Sequence, residues 1–160
     1  DAYYRRGTSK SALNMTSAAL ADICKAISLA PKKSKFLMVR AELFLALKNY
    51  DGAVSDLHRF LIVDTSKEKV HTVYLKAAEC RKISGNRVLE RLELSKLVKY
   101  DPSCVDAYRL RADSFFSDGD YKQAEQECIQ ALAIEPDNEH CLQLRKKIGQ
   151  LKAHLHRAVK

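Results

Sequence analysis

The sequence predicts an all-α fold: four helix-turn-helix units stacked into a solenoid, followed by a C-terminal capping helix. Three observations predict it. Apolar residues make up 46% of the 160, yet there is no Trp and there are only five Gly and three Pro, a balance that favours helices over an all-β fold. Small and aromatic residues recur at i, i+4 and i+7, the spacing of one helix face, as in Tyr108, Ala112 and Phe115 and again in Ala124, Cys128 and Ala131. The whole scheme returns about every 34 residues, as from Pro102 to Pro136.

Taken in order, the first unit (1–31) carries Tyr3, Gly7, Ala19, Ala26 and Pro31. The second (about 34–65) has Phe44 and Tyr50 ahead of Ala53, which lies 34 residues after Ala19. It departs from the scheme with Phe60 at a small-residue place and Thr65 at the proline place. The segment DTSKEK, 64–69, adds two or three residues, so a longer loop and a change of superhelical angle are expected there. The third unit (about 69–102) repeats Tyr74 and Ala78 but holds Glu90 where a tightly packed alanine belongs. The fourth (103–136) is the most regular: Gly119 and Asp120 turn the chain between two helices and Pro136 stops the second. A last helix over about 138–159 puts Cys141, Leu144 and Ile148 on one stripe and either caps the array or begins a fifth unit. A lone hairpin cannot bury both of its faces, so neighbouring units must stack.

This period and content resemble the tetratricopeptide repeat (TPR). The resemblance implies a right-handed solenoid whose first helices line a concave, peptide-binding groove. It places Tyr4, Thr8 and Ser11, then Lys35, Met38, Glu42 and Leu45, in that groove. The third repeat adds Leu75, Glu79, Lys82 and Ile83, and the fourth Asp106, Arg109, Asp113 and Phe116. Apolar side chains among scattered charges suit an extended, partly apolar peptide. Family members that grip acidic chaperone tails use a carboxylate clamp of Lys, Asn and Arg. Here the clamp's asparagine places hold Thr8 and Val39, only Lys76 and Arg109 lie near its cationic places, and Glu42, Glu79 and Asp113 repel a carboxylate.

Three stretches narrow the resemblance. AYYRRGTSKSALNMTSAALADICKAISLAP is similar to an early repeat of the endoplasmic-reticulum branch of the J-domain-containing TPR co-chaperones, which inhibits the interferon-induced protein kinase, while KAAEC at 76–80 and PDNEHCLQLRKKIGQLKAHL resemble TPR J-proteins at large. That likeness implies a module holding unfolded client polypeptides and reaching an Hsp70 only through a J domain outside this sequence, since no HPD motif occurs here. It implies the endoplasmic-reticulum lumen, with a cytoplasmic J-protein of the same architecture as the alternative. A scaffold TPR domain holding one dedicated partner in a multiprotein complex is the competing function.

Other chemistry finds little support. No apolar run approaches the ~20 residues that span a bilayer, and no signal peptide opens the chain; residue 1 is Asp, so a piece of a longer protein is expected. The net charge is +8, of which +6 falls in residues 141–160, where Arg145, Lys146, Lys147, Lys152, Arg157 and Lys160 stand without an acid. A solvated last helix explains this, and nucleic acid is not an expected partner because base-stacking aromatics are missing from the segment. The five cysteines, Cys24, Cys80, Cys104, Cys128 and Cys141, form no CxxC pair. Cys128 and Cys141 can pair if their helices pack together. His154 and His156 point to different faces of a helix, and His58, His71 and His140 have no ligand-spaced partner. With no phosphate loop and no converging acid, base and nucleophile, neither an enzyme nor a cofactor or metal is expected.

Overall fold

The computed structural model describes residues 1–64, 66 and 69–158, with backbone alone at 155, 156 and 158. Among the described residues there are nine helices and no strand, in agreement with the all-α TPR class. They are α1 (Ala2–Ala12), α2 (Thr16–Leu29), α3 (Ser34–Ala46), α4 (Tyr50–Val63), α5 (Val70–Ile83), α6 (Arg87–Tyr100), α7 (Val105–Ser117), α8 (Tyr121–Ile134) and α9 (Glu139–Ala158). Two compact units contain them, Asp1–Asn86 with α1–α5 and Arg87–Lys160 with α6–α9. The boundary falls inside the third predicted repeat. Thr65, Lys67 and Glu68 of the expected longer loop lie outside the described residues, as do Val159 and Lys160 at the end of the last predicted helix.

Local chemistry sets the hairpins. Each first helix ends in a tight turn with one residue in the left-handed region: Asn14 (φ 58°), Lys48 (φ 58°), Gly85 (φ 79°) and Gly119 (φ 81°). Two second helices then begin on a side-chain cap. The Gly52 amide donates to Asn49 Oδ1 at 3.0 Å and the Gln123 amide to Asp120 Oδ1 at 3.1 Å, satisfying amides that the first turn leaves free. Pro31, Pro102 and Pro136 each follow a helix that has already stopped, at Leu29, Tyr100 and Ile134.

The first unit packs α1 on α2 and α3 on α4, with α5 against α4. Gly7 lets α1 approach closely: a Cβ there would meet Ile23 Cδ1 at 2.8 Å and Cγ1 at 3.0 Å. Ala19, Ala41 and Ala53 hold the other close approaches, and Ile23, Phe36, Leu37, Leu57 and Phe60 fill the core. The bulky Phe60 at a small-residue place is buried, with Lys69 Nζ 5.4 Å from its ring centroid.

In the second unit α7 packs on α8, α6 against α7 and α9 against α8. Between α7, α8 and α9 its core sets small side chains, Ala112, Ala124, Cys128, Ala131 and Cys141, against Leu144 and Ile148, and Leu94 and Leu97 of α6 are fully buried as well. The predicted stripe of α9 is therefore the face it buries. Glu90, at the alanine place of the third repeat, is buried and accepts a hydrogen bond from Ser114 Oγ at 3.1 Å. Ser114 Oγ also receives Arg91 Nη1 at 3.1 Å. A carboxylate at this depth is held by such donors.

Candidate peptide-binding cleft

An ion pair inside the hairpins fixes where the first helices present their outer faces. Arg6, Arg40 and Arg111 stand at one place of the repeat, and an acid 16 residues on, Asp22, Asp56 or Glu127, meets each from the second helix. Arg40 is bidentate, with Nε and Nη2 each donating to Asp56 at 2.6 Å, and Asp56 is 1% exposed. Arg6 Nε donates to Asp22 at 2.8 Å, and Lys10 Nζ lies 2.8 Å from the same carboxylate. Hydrogen bonds from Arg6 and then Lys10 hold the Asp22 carboxyl well below the usual carboxylate range, although burial opposes them. Bonding to Asp56 likewise raises the Arg40 guanidinium further. Glu127 is bound less completely: Arg111 reaches Oε1, while Oε2 is buried without a partner among the described residues. These pairs were not anticipated from the sequence, although the spacing of 16 was readable twice, 34 residues apart.

With that stripe turned inward, the predicted groove residues other than Lys35, Ile83 and Asp106 take three places on the first helices. Tyr4, Met38, Leu75 and Arg109 share one, Thr8, Glu42, Glu79 and Asp113 the next, and Ser11, Leu45, Lys82 and Phe116 the third. In the first unit an open cleft of about 250 Å³ is lined by Leu45, Tyr50, Lys76, Glu79, Cys80 and Ile83. The predicted Leu45, Glu79 and Ile83 therefore come together. Leu45 is half-buried, Glu79 exposed, and Ile83 57% exposed, a large aliphatic side chain left in water. Lys76 Nζ lies 3.4 Å from Glu42 Oε1, which places the predicted Glu42 at the rim beside its cation. Burial raises the Cys80 thiol above its ordinary value, so it sits in the cleft wall as a neutral, apolar group. Tyr50, from the start of α4, Lys76 and Cys80 are not among the expected groove residues.

The remaining predicted residues lie elsewhere. Tyr4 stacks on Phe36, ring centroids 4.7 Å apart, with Lys35 Nζ 4.9 Å from its centroid. Met38 is half-buried on the core, Leu75 is half-buried on α5, and Lys82 is exposed. Thr8 Oγ1 donates to the Arg5 carbonyl at 2.9 Å. In the second unit Arg109 pairs with Asp106 at 3.0 Å, Asp113 with His140 Nε2 at 2.7 Å, and Phe116 packs beside Tyr121 at 5.4 Å between centroids. There α8 and α9 also bring Cys128 and Cys141 together, as free thiols. Burial first, then the neighbouring Cys141, pushes the Cys128 thiol up to about 12.

Among the described residues no cluster of three His, Cys, Asp or Glu side chains can hold a metal ion. Nor is any helix among them long and apolar enough to cross a membrane. His154 is exposed, and the side chain of His156 lies outside the described residues.

The chain resembles solved structures at low identity. A MamA protein superposes with a TM-score of 0.69 at 16% identity, covering 98% of this chain and 84% of that one. The first TPR domain of Spaghetti (RPAP3), solved with the HSP90 peptide SRMEEVD, gives 0.59 at 18% identity, covering 76% of this chain and 94% of that one. The TPR domain of Arabidopsis OM64 gives 0.58 at 20% identity, over 73% of this chain and 94% of that one. At such identities the likeness is one of fold. No curated protein matches the sequence. Two family models described as tetratricopeptide repeat match residues 1–33 and 91–139, together just over half of the chain. The chain belongs to the tetratricopeptide repeat family, a fold of protein-interaction scaffolds.

Proposed function

We propose that this chain is a client-holding module of an Hsp70/J-protein co-chaperone, working in the endoplasmic-reticulum lumen and taking extended, partly apolar polypeptide segments into the first-unit cleft. The observation that carries the reading is the cleft itself: Leu45, Ile83, Tyr50 and Cys80 give it an apolar wall, and Lys76 and Glu79 give it one charge of each sign. An apolar wall stabilises a bound segment through desolvation without demanding a particular side chain. Neither charge sign dominates: Glu79 and Lys76 line the cleft, and Lys76 is already paired with Glu42. An acidic chaperone tail is therefore disfavoured as the ligand, and Hsp70 is reached only through a J domain on another part of the protein.

A dedicated scaffold is the second reading. The pairing of Lys76 with Glu42 favours it, because a charge pattern at the rim selects among partner sequences. Fluorescence anisotropy separates the two, with a permanently unfolded polypeptide and an acidic tail peptide as labelled probes. Binding to the unfolded probe alone, lost in Leu45→Lys, supports client holding. Binding to neither moves the reading to the scaffold, and binding to the acidic tail alone refutes both the cleft chemistry and the rejection of the clamp.

A further inference from the structure

The turn between α1 and α2 reads Asn14-Met15-Thr16, and it is the only place in the sequence where Asn is followed two residues later by Ser or Thr. We propose that Asn14 is an acceptor for N-linked oligosaccharide, an inference that rests on the lumenal compartment proposed above. The pattern Asn-x-Ser/Thr, with x other than Pro, is the acceptor signal. It is short enough to arise by chance, so the geometry of the turn has to carry the assignment.

Asn14 is exposed, and its neighbours Leu13 and Met15 are 71% and 51% exposed, so the turn stands clear of the core on both sides. An Asn in the left-handed region usually bonds its own turn through the side-chain amide. Here the turn is closed by backbone alone, through the Asn14 amide to the Ser11 carbonyl at 3.0 Å and the Met15 amide to the Lys10 carbonyl at 2.9 Å. The Asn14 side chain makes no hydrogen bond among the described residues, unlike Asn49, whose Oδ1 caps α4. Thr16 opens α2 behind Met15, which offers no side-chain cap, and its hydroxyl is equally uncommitted. The acceptor Asn14 is therefore free and exposed, and Thr16 is half-buried beside it.

The repeat supplies a second argument. The same place holds Lys48 after α3, Gly85 after α5 and Gly119 after α7. A Cβ added at Gly85 or at Gly119 meets nothing within 4 Å. The fold thus asks of this place only a residue tolerant of positive φ and leaves open space outside it. A branched glycan on Asn14 projects into that space without touching the α1–α2 interface at Gly7.

The transfer balances without an oxidant. Asn14 Nδ2 displaces the pyrophosphate oxygen at C1 of a lipid-pyrophosphate-linked oligosaccharide. The N–C1 bond forms, the C1–O bond breaks, the lipid pyrophosphate leaves with the electron pair, and the amide proton goes to a base of the transferase.

The test is translation of the full chain, fused behind a cleavable signal sequence and carrying an appended reporter acceptor site, in the presence of microsomes. The expected result is two glycans on the wild type, both removed by peptide N-glycosidase, and one on Asn14→Gln and on Thr16→Ala, with Thr16→Ser retaining two. A wild type carrying the reporter glycan alone overturns the proposal. Protease protection of the endogenous protein tests the compartment separately: a cytoplasmic protein refutes the lumenal reading, while the microsome result still decides whether Asn14 is a competent acceptor.

Discussion

The two units place equivalent side chains in different company. In the first, Leu45 and Glu79 border an open cleft with Ile83 exposed at its edge. In the second, the places equivalent to those two residues hold Phe116, packed on Tyr121, and Asp113, paired with His140. The hairpins differ in the same sense. Arg40 binds both Asp56 oxygens, whereas Glu127 leaves one buried oxygen unpartnered among the described residues. One repeat frame therefore leaves an open cleft in the first unit. Where α9 supplies His140, the equivalent carboxylate is already engaged.

The largest effect expected from breaking this contrast is on stability. Arg40→Met leaves the buried Asp56 with only Arg59, 3.8 Å from Oδ1, as a cation among the described residues and costs about 3 kcal/mol, read as a lowered denaturation midpoint. Arg111→Met costs less, because one Glu127 oxygen already lacks a partner. Equal losses at the two sites would erase the distinction drawn between the hairpins.

Next comes binding. Ile83→Glu removes an exposed aliphatic side chain that a bound segment would cover, a loss of about 1.5 kcal/mol or tenfold in Kd. Asp113→Asn, at the place equivalent to Glu79, leaves the affinity for an unfolded probe unchanged by anisotropy. A tenfold loss at Asp113 would move the binding surface to the second unit.

Smaller still is Gly119→Ala. At φ 81° the added Cβ is strained although the space around it is open, and about 1 kcal/mol of stability is lost. The smallest effect concerns acid. Bonding to Arg6 and Lys10 depresses the Asp22 carboxyl. Its contribution is thus complete above the unfolded value of about 3.9 and is lost as pH falls from there toward the folded value. Asp22→Asn should flatten that limb of the stability–pH curve and lower the curve by a constant amount at neutral pH, where the wild-type contribution is complete.

Much of the fold was legible because a repeat states its rules several times. Gly119 at the turn, Ala124 at the close approach and Pro136 after the stop each correspond to one steric demand, and self-comparison exposes all three. The buried pairs were hidden for a physical reason: an Arg and an acid 16 residues apart look like ordinary surface charges until the hairpin folds them together. Tyr50 was missed because it opens a second helix, while the groove was sought only on first helices. Ile83 and Leu45 were reachable by register. That Tyr4 stacks on Phe36, and that Asp113 meets His140 across α7 and α9, depends on distances no periodicity contains.

The central claim is that a polypeptide binds along α3 and α5, and hydrogen exchange of the chain with and without a permanently unfolded polypeptide tests it most directly. The expected result is slowed exchange in α5 and at the start of α4, around Tyr50 and Ile83, with α7 unchanged. Protection confined to α7 and α9, with α5 exchanging as in the free chain, would contradict it.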